Sequence, residues 1–188
     1  MRRVKAKKQT RLQEIKKGIT NKTLIEALKD TTSDTETLII NSEETYPNEL
    51  LNDNWETITN LLPKLKILKL EGKNGIMVST RRNVSTELKP EIFEFFRRNL
   101  EELDLANNFI ENLSRLRRKD GDPDVLPLKK LDLTGNHIED LDYDDFKDLS
   151  EDTVVLIKNN PINENLTKLQ TFKDGLATSG VKAKLVFE

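Results

Sequence analysis

The chain has no cysteine, only one histidine, and seven glycines scattered singly. Without cysteine there are no disulfide bonds, thiolate metal ligands or cysteine nucleophile. A reducing compartment is favoured, since secreted proteins are often held together by disulfides. One histidine cannot form a zinc site unaided, and isolated glycines do not make a phosphate-binding loop. No nucleophile elbow or H-E-x-x-H helix is present either. The sequence therefore predicts a protein that is not an enzyme and carries no metal or cofactor.

Long apolar runs are also missing. No stretch approaches the ~18 apolar residues that a membrane span requires, and residues 1–8 lack the apolar region of a signal peptide. We therefore expect a soluble intracellular protein, cytoplasmic or nuclear, that does not bind membranes. Hydrophobic residues (35%) and charged residues (34%) are nearly balanced. This balance suits an elongated repeat protein, in which every repeat faces solvent on several sides.

The formal net charge of -2 hides a strong asymmetry. Residues 1–17 carry eight Lys or Arg against one Glu, whereas residues 139–152 carry eight acidic residues against one Lys. No linker rich in Pro, Gly or Ser separates two apolar regions. The sequence thus predicts a single structural unit with a basic helical cap at residues 1–34 and a repeat domain at residues 35–188.

The main signal is an internal repeat. The pattern L-x-x-L-x-L-x-x-N-x-I occurs at residues 100–110 and again, in the same register, at residues 128–138. Looser copies lie at residues 65–76 and 155–162. Residues 37–40 and 184–187 keep only the alternating core of a strand, which is typical of terminal repeats.

This pattern resembles the leucine-rich-repeat family over about residues 35–188. The resemblance implies an α/β solenoid with a curved parallel sheet of about five to six strands and helices on its convex side. It also implies a non-catalytic module or adaptor that binds another protein on the concave face of the sheet. Such an analogy does not name the partner.

The residues support this fold independently of the resemblance. Alternate Leu residues of the L-x-L segment point to one side of a strand and fill the core. The repeated Asn can turn its amide toward unpaired backbone groups of the turn, which predicts a structural role for Asn108, Asn136 and Asn160. Apolar spacing predicts helices within residues 12–19, 20–28, 47–62, 90–98 and 166–176, and turn formers predict a loop at residues 120–124.

Two rows of side chains should lie exposed on the concave face. One row is Thr37, Ile67, Glu102, Lys130, Val154 and Lys184, and the other is Ile39, Lys69, Asp104, Asp132, Leu156 and Val186. The predicted partner-binding residues are Lys69, Glu102, Asp104, Lys130, Asp132, Val154, Leu156 and Val186. Lys66, Glu101 and Lys129, directly before the strands, alternate in sign, as do Glu102 and Lys130, so neighbouring charges can neutralise each other within the sheet.

Asp104 next to Asp132 is the sharpest site hypothesis, since two adjacent carboxylates would gain from an incoming Lys or Arg. At the other end, Val154, Leu156 and Val186 form either a small binding patch or a surface covered by another part of a larger protein.

The acidic segment 140–151 spaces its carboxylates like an EF-hand loop, but Asp145 stands where that loop needs Gly. A solvated acidic turn is the favoured interpretation, with calcium binding left open.

A second functional hypothesis is nucleic-acid binding through the basic N-terminus. The residues concerned are Arg2, Arg3, Lys5, Lys7, Lys8, Arg11, Lys16 and Lys17. The same cluster fits the solvated face of a capping helix or a nuclear-import signal. Finally, the apolar strand at residues 184–187 is an edge that invites pairing, through self-association, a partner strand or a following domain.

Overall fold

The computed structural model describes residues 10–11, 28, 33–41, 56–71, 77–78, 95, 99–113 and 127–188. Within them the architecture is α/β, built on a parallel sheet. The strands are β1 (Thr10–Arg11), β2 (Thr37–Asn41), β3 (Ile67–Glu71), β4 (Met77–Val78), β5 (Glu102–Asp104), β6 (Phe109–Ile110), β7 (Lys130–Asp132), β8 (Val154–Leu156) and β9 (Lys184–Val186). The helices with described bounds are α1 (Pro161–Glu164) and α2 (Leu166–Ser179). Residues 56–61 are also helical, and Tyr143–Asp145 forms a 3-10 turn.

Seven strands form the main sheet in the order β1-β2-β3-β5-β7-β8-β9, and all pair in parallel. The short strands β4 and β6 form a separate parallel pair. The sheet has one strand more than the prediction because Thr10–Arg11 pairs with Leu38 and Ile39. The prediction of a helical cap at residues 1–34 contained no strand. The backbone of Thr10–Arg11 pairs with the outer side of β2, which would otherwise be the unpaired edge of the sheet.

One face of the main sheet is covered by the core. Strands β3, β5 and β7 each contribute the leucine at their second position, Leu68, Leu103 and Leu131, and all three side chains are buried. The leucines before and after these strands are buried in the same cluster, as the repeat pattern predicts. Burial of apolar area at ~25 cal/mol per Å² makes these layers the main favourable contribution to folding.

The described helical residues pack on this core side. Ile58 and Leu62 are fully buried in the predicted helix at residues 47–62, and Leu169 and Phe172 bury one face of α2. Leu28 is helical and buried, and Phe95 is helical and packs against the core. The remainder of the predicted helices at residues 12–19, 20–28, 47–62 and 90–98, and the loop at residues 120–124, lie outside the described residues. Among those described, no helix combines the length and apolar composition needed to cross a membrane.

The C-terminal helix is fixed by an aromatic contact. Tyr143 stacks on Phe172 with 4.7 Å between ring centroids, and its hydroxyl donates a hydrogen bond of 3.1 Å to the Phe172 carbonyl oxygen. A Cβ at Gly175 would stand 2.0 Å from that hydroxyl. Glycine at this position therefore lets the helix approach Tyr143. After α2 the chain leaves the helix through Gly180 at φ 82°, a left-handed conformation that glycine adopts without strain.

Candidate binding surface

The face of the main sheet opposite the core carries the two predicted rows of side chains, here called the open face. In the first row Glu102 is the strand neighbour of Lys130, and in the second Asp104 is the strand neighbour of Asp132. The full register is Thr37, Ile67, Glu102, Lys130, Val154, Lys184 and Ile39, Lys69, Asp104, Asp132, Leu156, Val186. Every adjacency predicted for these rows is confirmed. Their side chains are partly exposed, with Lys184 the most open.

A ladder of buried asparagines holds the strands in this register. The Asn136 amide donates to the carbonyl oxygens of Leu105 and Leu133, both at 2.9 Å, and its oxygen accepts from the Ile110 N–H at 3.1 Å. Asn160 repeats the arrangement one strand later, and Asn108 one strand earlier donates to the Leu70 carbonyl oxygen. The predicted structural role of these asparagines is confirmed, because each joins backbone groups of neighbouring repeats.

The turns between strand and asparagine contain a feature that the sequence reasoning missed. Asn107, Gly135 and Asn159 occupy equivalent places and all have positive φ, at 56°, 69° and 53°. Asn and Gly are the residues that enter this region most readily. Asn or Gly recurs directly before each repeated Asn, and this recurrence could have predicted the positive φ from the sequence.

Asp104 and Asp132 lie side by side on β5 and β7, and each carboxylate has partners within the sheet. The Lys69 ammonium lies 3.2 Å from Asp104 Oδ2, and the Lys130 ammonium lies 3.5 Å from Asp132 Oδ2. The other oxygen of each aspartate accepts the N–H two residues later, from Ala106 and Thr134 respectively, at 3.1 Å. Each carboxylate therefore already has its own lysine and backbone N–H, and the gain that the pair would draw from an incoming Lys or Arg stays a prediction.

Lysine and glutamate side chains directly before the strands form a chain of ion pairs, as the alternation of charge predicts. Lys66 lies 3.4 Å from Glu36 and 3.6 Å from Glu101, and Lys129 donates a hydrogen bond of 2.8 Å to Glu101. That hydrogen bond lowers the pKa of the Glu101 carboxyl and raises the pKa of the Lys129 ammonium. These partly exposed pairs satisfy charge locally and contribute little stability each.

The C-terminal part of the open face differs in character. Val154, Leu156 and Val186 lie on adjacent strands and remain partly exposed. Lys184 is the strand neighbour of Val154 at one end. Lys158 lies two residues beyond Leu156, in the turn that follows β8, with buried Ile157 between them. The carbonyl oxygens of Leu156 and Lys158 accept the N–H groups of Leu133 and Gly135 respectively, so the alternation of β8 continues to Lys158 and places it on the same face at the other end. We call these five residues the C-terminal patch.

The carboxylates of the acidic segment 140–151 do not converge on one position. Asp142 caps the 3-10 turn by accepting the Asp144 N–H at 3.0 Å, and Asp140 pairs with Lys168 at 2.6 Å. Across the described part of the chain, no three His, Cys, Asp or Glu side chains converge on a position for a metal ion. The single histidine, His137, is exposed and meets Phe109 edge to face with centroids 5.2 Å apart.

Of the basic residues in the nucleic-acid hypothesis, only Arg11 is described. Its backbone lies in β1 opposite Ile39. Arg2, Arg3, Lys5, Lys7, Lys8, Lys16 and Lys17 lie outside the described residues.

No protein-family model matches the chain, and no curated protein matches it in sequence.

Proposed function

We propose that the chain is a leucine-rich-repeat protein whose open face binds another protein. The observation that carries this proposal is the partly exposed apolar cluster Val154, Leu156 and Val186 on adjacent strands of one sheet. Apolar side chains concentrated on a solvent-facing sheet favour contact with a partner, since binding removes their area from water.

The repeat assignment is supported by the layers beneath this face. Leu103 and Leu131 are strand partners in the core, and Asn136 connects the turns of successive repeats. A sheet held in this way is a rigid platform, so its exposed rows can meet a partner with little loss of conformational entropy.

Site-specific photo-crosslinking tests the proposal. A photoreactive side chain is placed at Leu156 on the open face and, in a matched control, at Thr171 on the exposed side of α2. After irradiation in a native lysate, we expect discrete protein adducts from position 156, resistant to nuclease and absent from position 171. Adducts are identified by mass spectrometry.

Two outcomes would overturn the proposal. Equal labelling from both positions would show contacts without a preferred face. Adducts from position 156 that disappear on nuclease treatment would transfer the function to nucleic-acid binding, the second hypothesis from the sequence.

A further inference from the structure

The C-terminal patch combines an apolar centre with cations at both ends. Leu156 and Val186 are direct strand partners at its centre, and Val154 lies beside Lys184. Such an arrangement suits a partner that carries apolar side chains flanked by negative charges.

The lysines of the patch differ from those of the central strands. Lys69 and Lys130 each lie within ion-pair distance of an open-face aspartate. Lys158 and Lys184 form no ion pair with any residue that the structure describes. Their ammonium groups are thus available to carboxylates from outside.

The spacing of these two lysines is set by the sheet. Lys184 is level with Val154, and Lys158 lies four residues further along from Val154. At ~3.3 Å per residue, the two positions are about 13 Å apart along the strand direction, with the apolar centre between them.

Resting on the protein-binding function proposed above, we propose that the C-terminal patch binds an acidic, apolar segment of the partner. Its apolar side chains cover Leu156, Val186 and Val154. Two carboxylates about 13 Å apart reach Lys158 and Lys184, a spacing that four residues of extended chain supply.

Charge complementarity favours this occupant over others. A basic segment would meet two uncompensated ammonium groups, and Asp132, the strand neighbour of Leu156, is already paired with Lys130 and the Thr134 N–H. A bare polyanion would leave the apolar centre in water. An acidic, apolar segment matches both components.

Peptide selection on the immobilised full chain tests this inference. A phage library of random peptides is panned on the natural protein and on three variants: Leu156→Ser, Lys158→Glu with Lys184→Glu, and a control with Lys64→Glu and Lys168→Glu. The control makes the same change in net charge at lysines remote from the patch, which pair with Asp34 and Asp140. Circular dichroism establishes that each variant is folded.

We expect enriched peptides in which Leu, Ile or Phe is flanked by Asp or Glu. Reversing Lys158 and Lys184 should weaken their binding about tenfold, since each attraction becomes a repulsion. The control variant should bind like the natural protein. Added salt should weaken binding, because exposed charges are screened beyond ~8 Å at 0.15 M ionic strength.

The remaining outcomes separate this inference from the function on which it rests. Enriched peptides that are neutral or basic but lost with Leu156→Ser would overturn the acidic chemistry and leave open-face binding intact. Peptides insensitive to every open-face substitution, or no enrichment at all, would contradict both. Self-association of the natural protein in sedimentation, abolished by Leu156→Ser, would replace the acidic segment with a second copy of the chain.

Discussion

The central and C-terminal strands of the open face share one backbone geometry but differ in what their side chains leave unsatisfied. On β5 and β7, Asp104 and Asp132 are each held by a lysine and by a backbone N–H. On β8 and β9 the equivalent positions are Leu156 and Val186. Charged residues on the central strands are thus already paired within the sheet, and the proposed binding surface lies where apolar residues take their places.

The largest expected loss of stability comes from the buried asparagines, which support both the central and the C-terminal strands. Asn136→Leu removes the amide that joins the backbone groups of Leu105, Leu133 and Ile110. Leaving several buried groups unpaired should lower the free energy of unfolding by about 3 kcal/mol, measured by urea denaturation.

Asn159→Gly is the matched control for the asparagine substitution. Asn159 is exposed and has φ 53°, so glycine fits its backbone and stability should change by less than about 0.5 kcal/mol. Equal losses from both variants would mean that the buried amide has no special role.

A smaller loss of stability is expected from the aspartates of the central strands, and it should leave binding at the C-terminal patch unchanged. Asp104→Asn with Asp132→Asn keeps the side-chain oxygens that accept the Ala106 and Thr134 N–H groups but removes both carboxylates from their lysines. The loss should be about 1 kcal/mol or less, since relief of repulsion between the adjacent carboxylates offsets the lost ion pairs. The photo-crosslinked adducts at position 156 should persist.

Leu156→Ser is the corresponding substitution on the C-terminal strands, at the position next to Asp132. Because Leu156 is only partly buried, we expect a similar stability loss of about 1 kcal/mol. Enrichment of displayed peptides, however, should disappear. If the aspartate variant also loses peptide binding, the distinction between the two regions is wrong.

The smallest effect concerns pH. Since the hydrogen bond from Lys129 lowers the folded-state pKa of Glu101, this pair stabilises the fold fully above the ordinary Glu pKa. That contribution is lost as the pH falls through the lowered folded-state pKa. In a titration of the Glu101 carboxyl followed by NMR, Lys129→Ala should move its midpoint upward toward the ordinary value. An unchanged midpoint would show that the hydrogen bond does not form in solution.

Residue alternation within β2, β3, β5, β7, β8 and β9 was sufficient to predict the core face and both open-face rows. Strict alternation determines which side chains share a face, and equal repeat registers place equivalent residues side by side. Asn108, Asn136 and Asn160 were predictable because a buried amide in a turn needs backbone partners. The short strand at Thr10–Arg11 was not, since two residues carry no periodic signal.

The sequence by itself determined the repeat, its register, and the contrast between acidic central positions and apolar C-terminal ones. Only the tertiary structure decided which charges are already neutralised. Lys69 reaches Asp104 across neighbouring strands, while Lys130 reaches Asp132 on its own strand instead of pairing with Glu102 across the sheet. Long lysine side chains can reach several carboxylates of comparable spacing, so pairing depends on side-chain conformations in the folded sheet that strand register alone does not specify.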